Sequence, residues 1–289
     1  MMFENFETKT ITTSGATIRA VIGGSGPPLL LLHGSPQTHV MWHKLAPHLA
    51  KQFTVVAADL RGYGDSSKPP GGDKHENYAK RAMALDQVEL MRQLGFPKFQ
   101  LVGHDRGGRV AHRLALDHPD VVSRLAVLDI APTATMYAKT DRRFATAYFH
   151  WFFLIQPFDL PERLIGADPD YYISRGWRRA APGVFTAEAI AEYTRCFRDP
   201  ATIHANCEDY RASAGIDLEH DAADADRRIE CPLLVLWGAR GIIGELFGPV
   251  DSWREKARDV QGQPIDCGHY MAEEAPDATL AALLGFLES

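Results

Sequence analysis

Five short runs of apolar residues recur along the chain, and each is followed at once by glycine, histidine or aspartate. They are Pro28–Leu32, Phe53–Ala58, Phe99–Gly103, Arg124–Leu128 and Leu233–Trp237. Runs of this kind are typical of parallel strands buried on both faces of a sheet. Helical patterns lie between them, for example at Arg81–Leu94 and Gly107–Asp117. The alternation predicts an α/β fold with a mostly parallel central sheet flanked by helices, and ligands bound beyond the carboxyl ends of the strands.

One interval breaks this alternation. Residues 137–221 carry no strand pattern and are rich in aromatic residues, arginine and proline. We interpret them as a helical cap inserted between two strands of a core made of residues 1–136 and 222–289. A run of ordinary core helices at the edge of the sheet is the alternative.

Charge and composition narrow the classes of function. The formal net charge is −6, whereas a nucleic-acid binder would carry a basic excess. An anionic small molecule would need local positive charge. No apolar run approaches the ~20 residues that span a bilayer, the polar first 13 residues lack a signal core, and the four cysteines form no C-x-x-C pair. We therefore expect a cytoplasmic enzyme without a metal, cofactor, membrane or nucleic-acid partner.

Asp105 lies at the centre of a Gly-x-nucleophile-x-Gly motif formed by residues 103–107. The motif follows a predicted strand and precedes a predicted helix, and its glycines permit the strained turn that exposes a nucleophile. A carboxylate in place of the usual serine can displace a leaving group from saturated carbon and form an ester. The motif predicts Asp105 as a nucleophile, although an unrelated glycine-rich turn would also fit.

A candidate base and its partner follow in the chain order that this motif requires. His269 lies beside Gly268, after the last apolar strand pattern. Residues 238–241 offer no acid after the later strand, whereas Asp129 directly follows an earlier one. We predict a triad of Asp105, His269 and Asp129, with an ordinary helix-capping role as the alternative for Asp129.

A candidate oxyanion hole follows the first apolar run, at His33–Pro36. The backbone N–H of Ser35 and that of Arg106 are predicted to form it. A plain turn would fit the same residue types.

Several segments resemble those of fluoroacetate dehalogenases of the α/β-hydrolase superfamily, and the resemblance covers nearly the whole chain. The segments are 32–38 (LHGSPQT), 59–64 (DLRGYG), 103–109 (GHDRGGR), 148–151 (YFHW), 207–211 (CEDYR) and 268–269 (GH). The Asp-Arg-x-x-Arg and His-Trp elements are specific, while the others are shared by many relatives. The resemblance implies an α/β-hydrolase fold with a helical cap that removes halide from a small 2-haloacid, such as fluoroacetate or chloroacetate, and gives a 2-hydroxy acid. It also implies a homodimer, for which no residue pattern gives support.

The resemblance further implies that Arg106 and Arg109 bind the substrate carboxylate. The chemistry of arginine agrees with this role. A haloacid anion that is attacked by the Asp105 carboxylate needs cations that hold it and offset the repulsion between the two negative charges. Arginines on a solvated helix face are the alternative.

The halide site that the resemblance implies consists of His150, Trp151 and Tyr210. Imidazole, indole and phenol are all hydrogen-bond donors, which a developing fluoride ion requires. Packing in the cap core is the alternative for His150 and Trp151. One departure from the family concerns Ser35, which stands where a bulky aromatic residue is expected. The small side chain would enlarge the pocket or admit water beside the nucleophile.

Three other functions compete with a haloacid dehalogenase. An epoxide hydrolase uses the same machinery with two cap tyrosines, and the chain offers Tyr148, Tyr171, Tyr172, Tyr193 and Tyr210. Arg106 argues against it, because a neutral epoxide needs no cation beside the nucleophile. A haloalkane dehalogenase would more often carry tryptophan after the nucleophile, and a non-catalytic ligand-binding protein would be expected to lack Asp105 or His269.

Overall fold

A single mixed sheet forms the centre of the molecule. The computed structural model describes residues 2–289, apart from the side chain of Arg179, so residue 1 of the predicted core lies outside the described residues. Within them, eight strands run in the order β1-β2-β4-β3-β5-β6-β7-β8. The strands are β1 (Glu7–Thr12), β2 (Thr17–Gly23), β3 (Pro28–Leu32), β4 (Thr54–Ala58), β5 (Phe99–His104), β6 (Val122–Leu128), β7 (Leu233–Gly238) and β8 (Val260–Ile265).

The pairing of the strands confirms the predicted α/β class. β2 pairs antiparallel with β1 and β4, and the pairings from β4 through β3, β5, β6 and β7 to β8 are parallel. The five predicted strands are β3 to β7, with ends within two residues of those expected. Three further strands, β1, β2 and β8, were not predicted.

Helices cover both faces of this sheet. They are α1 (Ala46–Leu49), α2 (Lys80–Gln93), α3 (Arg106–Asp117), α4 (Thr133–Ala138), α5 (Arg142–Ala147), α6 (Phe149–Leu154), α7 (Leu160–Ala167), α8 (Pro169–Ser174), α9 (Ala187–Phe197), α10 (Pro200–Ala214), α11 (Ile216–Ala223), α12 (Ile242–Phe247), α13 (Pro249–Arg254), α14 (Met271–Glu274) and α15 (Pro276–Leu287). Alternate residues of β3 pack into two separate cores, Leu29 and Leu31 on one face and Leu30 and Leu32 on the other. This double burial explains why the strand is apolar at consecutive positions.

The connection between β6 and β7 is helical throughout its ordered elements, from α4 to α11. The segment predicted as a cap, residues 137–221, falls inside this connection, and the part of the chain described there contains no strand. The division into core and cap stays a prediction. Among the described residues, no helix combines the length and apolar character needed to cross a membrane.

Candidate active site

Asp105 occupies a sharp turn between β5 and α3. Its backbone has φ 47° and ψ −115°, a conformation that L-residues rarely adopt. The turn leaves no room for a side chain at two neighbouring positions. A Cβ on Gly107 would lie 2.4 Å from the carbonyl oxygen of His33, and one on Gly103 would lie 2.5 Å from the carbonyl oxygen of Gly107. The two motif glycines are therefore required by the close approach of the backbone.

The carboxylate of Asp105 faces a cavity of about 530 Å³. The Ser35 N–H donates to its Oδ1 at 3.0 Å, and Nε2 of His269 lies 4.0 Å from its Oδ2. Burial opposes its ionisation, but nearby histidines and arginines, His269 first among them, lower its pKa to about 2. The carboxylate is thus ionised at neutral pH, with one oxygen held by a backbone donor and the other available for attack.

His269 and Asp129 form a close pair beside this carboxylate. Nδ1 of His269 donates to Oδ2 of Asp129 at 2.6 Å, and the Gly238 N–H donates to Oδ1 of Asp129 at 2.9 Å. Burial lowers the pKa of His269, but the hydrogen bond and charge of Asp129 together with the charge of Asp105 outweigh it and raise the pKa above its ordinary value. The Nδ1–H···O bond leaves Nε2 facing the nucleophile, the geometry of a general base.

Two residues that the sequence analysis did not single out hold the loop that carries His269. Nε2 of His104 lies 2.8 Å from the carbonyl oxygen of His269, and burial lowers the pKa of His104 to about 4, so a neutral imidazole donates this bond. Glu274 accepts from the Gly268 and Tyr270 N–H groups at 2.7 and 2.9 Å. The backbone on both sides of His269 is thereby fixed, which aims its ring at Asp105.

Arg106 lies fully buried against an acid partner. Its Nε and one terminal nitrogen bind Oδ2 and Oδ1 of Asp209 at 2.9 and 2.6 Å, and the same terminal nitrogen contacts Ser213. The guanidinium also stacks over the ring of Tyr210 at 4.2 Å. Its Nη1 is buried and has no hydrogen-bond partner among the described residues. Asp209 and Ser213 could not be anticipated from local sequence, because they lie about a hundred residues further along the chain.

Arg109 is buried without a carboxylate partner among the described residues. Its Nη1 donates to the carbonyl oxygen of Ala131 and to Oγ1 of Thr133, and its Nε has no partner. Burial, followed by the charge of Arg106, lowers its pKa from the ordinary value for arginine. A buried cation with a free N–H is a site for an anion.

The three candidate halide ligands lie on α6 and α10. His150 and Tyr210 line the cavity with their ring centroids 5.8 Å apart, and burial lowers the pKa of His150 to about 4. Trp151 is fully buried behind them, 6.4 Å from the ring of Tyr210, and its indole N–H has no partner.

The structure thus brings the predicted residues together in two layers. Those that line the cavity are Ser35, Asp105, Asp129, His150, Tyr210 and His269. Arg106, Arg109 and Trp151 lie directly behind this wall, and the guanidinium of Arg109 covers the indole of Trp151 at 4.6 Å. Each of the three has one side-chain nitrogen without a hydrogen-bond partner among the described residues, so a polar ligand that reached them would satisfy groups now left without a bond.

A cluster outside this cavity has a composition that suits metal binding. Glu162, His204 and Glu208 each place one ligand atom within 4.8 Å of the others. The guanidinium of Arg211 already binds both carboxylates, at 2.6 and 2.8 Å. The cation of Arg211 therefore already neutralises the two carboxylates that a metal ion would need.

Comparisons with known proteins identify the family of the chain. Residues 27–276 match the family model described as alpha/beta hydrolase fold. The chain is 50% identical to a fluoroacetate dehalogenase from Burkholderia sp, covering 99% of this chain and 95% of that one. It is 37% identical to a soluble epoxide hydrolase from Corynebacterium sp. (strain C12), covering 94% of both chains. A crystal structure from Nostoc sp PCC 7120, described only as an alpha/beta hydrolase, superposes with a TM-score of 0.98 at 59% identity over 99% of both chains. The chain therefore belongs to the alpha/beta hydrolase fold family and, within it, to the fluoroacetate dehalogenases.

Proposed function

We propose that the protein is a hydrolytic dehalogenase that converts small 2-haloacids, such as fluoroacetate and chloroacetate, to 2-hydroxy acids and halide. The strongest support for this function comes from two oppositely charged groups. An ionised carboxylate, Asp105, lies at the cavity, and behind the cavity wall a buried arginine, Arg109, has no acid partner among the described residues. A site with an anionic nucleophile and an unmatched cation suits a substrate that is itself an anion.

The first step forms an ester on Asp105. Oδ2 attacks the carbon that bears the halogen, the carbon–halogen bond breaks, and the halide departs with the bonding electron pair. Arg109 and the free N–H of Arg106 hold the substrate carboxylate. The donors of His150, Trp151 and Tyr210 stabilise the charge that develops on the halide.

The second step hydrolyses this ester. His269, oriented by Asp129, removes a proton from water, and the resulting hydroxide adds to the carbonyl carbon of the ester. Oδ1 becomes the oxyanion, and the Ser35 N–H already bound to it supplies one donor. The Arg106 N–H, the first of helix α3, would supply the second, since it has no partner within the helix. Collapse releases the 2-hydroxy acid, restores the carboxylate and leaves one proton for solvent.

A halide-release panel tests this function directly. Purified protein is incubated with fluoroacetate, chloroacetate and styrene oxide, and free halide and diol are measured. We expect halide from both haloacids at rates that vanish in Asp105→Ala. Absence of halide from every haloacid would contradict the proposal.

An epoxide hydrolase is the second candidate. Tyr148 and Tyr210 both line the cavity that contains Asp105, and two such phenols could protonate an epoxide oxygen. The unmatched charge of Arg109 favours the anionic substrate instead. Diol from styrene oxide in the same panel would support this alternative, and ligand binding without either product would indicate the non-catalytic one. The homodimer and the cytoplasmic location stay predictions.

A further inference from the structure

A chain of hydrogen bonds connects the buried salt bridge of Arg106 to the cavity. Tyr63 donates its O–H to Oδ2 of Asp209 at 2.6 Å. The side-chain amide of Asn206 lies 2.9 Å from the hydroxyl of Tyr63 and 2.8 Å from the hydroxyl of Ser35. The chain thus runs from Asp209 through Tyr63 and Asn206 to Ser35, which lies on the cavity wall.

The charge of Asp209 fixes the first proton in this chain. Asp209 is fully buried and receives hydrogen bonds from both Arg106 and Lys80, so it stays ionised and can only accept. Tyr63 stays protonated, because burial and the negative charge of Asp209 raise the pKa of its hydroxyl. The single proton of Tyr63 must therefore point to Asp209.

The position of that proton determines the orientation of the Asn206 side-chain amide. Since the O–H of Tyr63 is already donated, its oxygen can only accept from Asn206. The amide must therefore present its NH₂ group to Tyr63. The same NH₂ group lies within hydrogen-bond distance of the Ser35 hydroxyl, so the oxygen of that hydroxyl also accepts a hydrogen bond from Asn206.

Ser35 is then left with a proton to donate. Its hydroxyl makes no other bond among the described residues, and its own backbone N–H is already on Oδ1 of Asp105. We propose that Ser35 is a substrate-binding residue whose hydroxyl donates a hydrogen bond to the anionic haloacid held beside Asp105, with the direction of that bond set by Asp209, Tyr63 and Asn206.

This inference rests on the proposed function and adds a specificity element to it. The family resemblance leads us to expect a bulky aromatic side chain at position 35, which would fill the pocket and exclude water. A serine with its proton held toward the cavity gives the anion a further donor, and a hydrogen bond to a charged group contributes more than one between neutral groups.

The first test compares three variants on fluoroacetate. Ser35→Ala keeps the backbone N–H and removes only the hydroxyl, so we expect kcat/KM to fall about tenfold. Ser35→Thr keeps the hydroxyl and should retain most of the activity. Ser67→Ala is the matched control, because the Ser67 hydroxyl also accepts a hydrogen bond, in its case from the Thr17 backbone N–H, but Ser67 lies outside the cavity wall. Wild-type kinetics in Ser35→Ala, with an unchanged melting temperature, would overturn the proposal.

A double-mutant cycle tests the positioning role of Asn206. Asn206→Leu removes the donor that turns the Ser35 proton toward the cavity, so kcat/KM should fall severalfold in the wild-type background. In the Ser35→Ala background the same change should cost little, since Asn206 acts through the hydroxyl that is already absent. Equal losses in both backgrounds would mean that Asn206 merely supports the fold.

Binding of glycolate, the product expected from fluoroacetate, separates this inference from the proposed function. Isothermal titration should show weaker glycolate binding by Ser35→Ala than by the wild type. If the wild type releases fluoride but Ser35→Ala binds glycolate and turns over like the wild type, only the role of Ser35 fails. If the wild type releases no halide, the proposed function itself fails.

Discussion

The charge of Asp105 changes during the proposed reaction, and His269 responds to it. In the free enzyme, Asp105 is one of the groups that raise the pKa of His269. Formation of the ester removes that negative charge, and the substrate carboxylate that enters the site is paired with Arg106 and Arg109. The pKa of His269 should therefore fall in the intermediate, so that the imidazole becomes neutral at the stage that needs a base.

This shift predicts different pH profiles for the two chemical steps. The nucleophile has a pKa of about 2, so ester formation should change little from about pH 5 to about pH 8. Ester hydrolysis requires neutral His269 and should rise with pH through one ionisation, that of this imidazole in the intermediate. Rapid-quench measurement of halide burst and product formation gives both profiles. A burst rate that followed the same ionisation as hydrolysis would show that His269 also controls the attack.

Arg109 should respond to substrate charge more than to substrate size. Arg109→Leu removes the unmatched cation, and we expect haloacetate turnover to fall by at least about a hundredfold. Arg109→Lys should rescue poorly, because an ammonium lacks the planar fork of the guanidinium. Haloacetamide is the neutral comparison, and an equal loss on both substrates would contradict the charge-pairing role.

The sequence predicts the positions of single site residues better than it predicts which residues they contact. Asp105, Asp129 and His269 could be selected because strand ends and chain order restrict where such residues lie. Asp209 and Asn206 could not, because they meet the site across more than a hundred residues of chain and belong to a helix whose buried face only the structure reveals.

Among the elements, strands buried on both faces were predictable and the edge of the sheet was not. β1 has no buried residue, and β8 has only Ile265 buried and contains both glycine and proline. Neither therefore shows the continuous apolar run of β3 or β7. Burial alternates irregularly along β2, since this strand pairs with the edge strand β1 on one side and with β4 of the parallel core on the other.

Trp151 on helix α6 is predicted to stabilise the departing halide. Trp151→Phe removes the unpartnered indole N–H and keeps an aromatic ring. If this group stabilises departing fluoride, its loss should cost about 2–4 kcal/mol of transition-state stabilisation for fluoroacetate and much less for bromoacetate, because bromide leaves readily. Single-turnover rates give the ratio of the two substrates.

Trp42→Phe supplies the control for that experiment. Trp42 is also fully buried with an unpartnered indole N–H, but among the described residues its ring stacks on neither Arg109 nor Tyr210, whereas the ring of Trp151 contacts both. Its substitution should leave the ratio of fluoride to bromide release unchanged. Equal losses for both halides in Trp151→Phe would mean that Trp151 only packs the helices between β6 and β7.

Across the whole molecule, the net charge of −6 opposes an anionic substrate, so cations at the cavity must offset it. Arg175 lines the cavity, stacks over Phe149 at 4.4 Å and has no acid partner among the described residues. Its charge is therefore available to attract the haloacid.

Arg175→Gln should raise KM for fluoroacetate roughly threefold at low salt and weaken its dependence on ionic strength. Arg178→Gln removes the same charge from an exposed position outside the cavity wall and should have little effect. Steady-state kinetics across a salt series check both. Matching changes in the two variants would point to the overall charge of the protein instead.

The two-step reaction through an Asp105 ester is tested most directly by trapping that ester. His269→Ala removes the base for hydrolysis and leaves the nucleophile, so addition of fluoroacetate should modify the protein without turnover. Intact-mass spectrometry should then show one carboxymethyl group per chain, and peptide mapping should place it on Asp105. A His269→Ala protein that stayed unmodified while the wild type released fluoride would contradict the covalent mechanism.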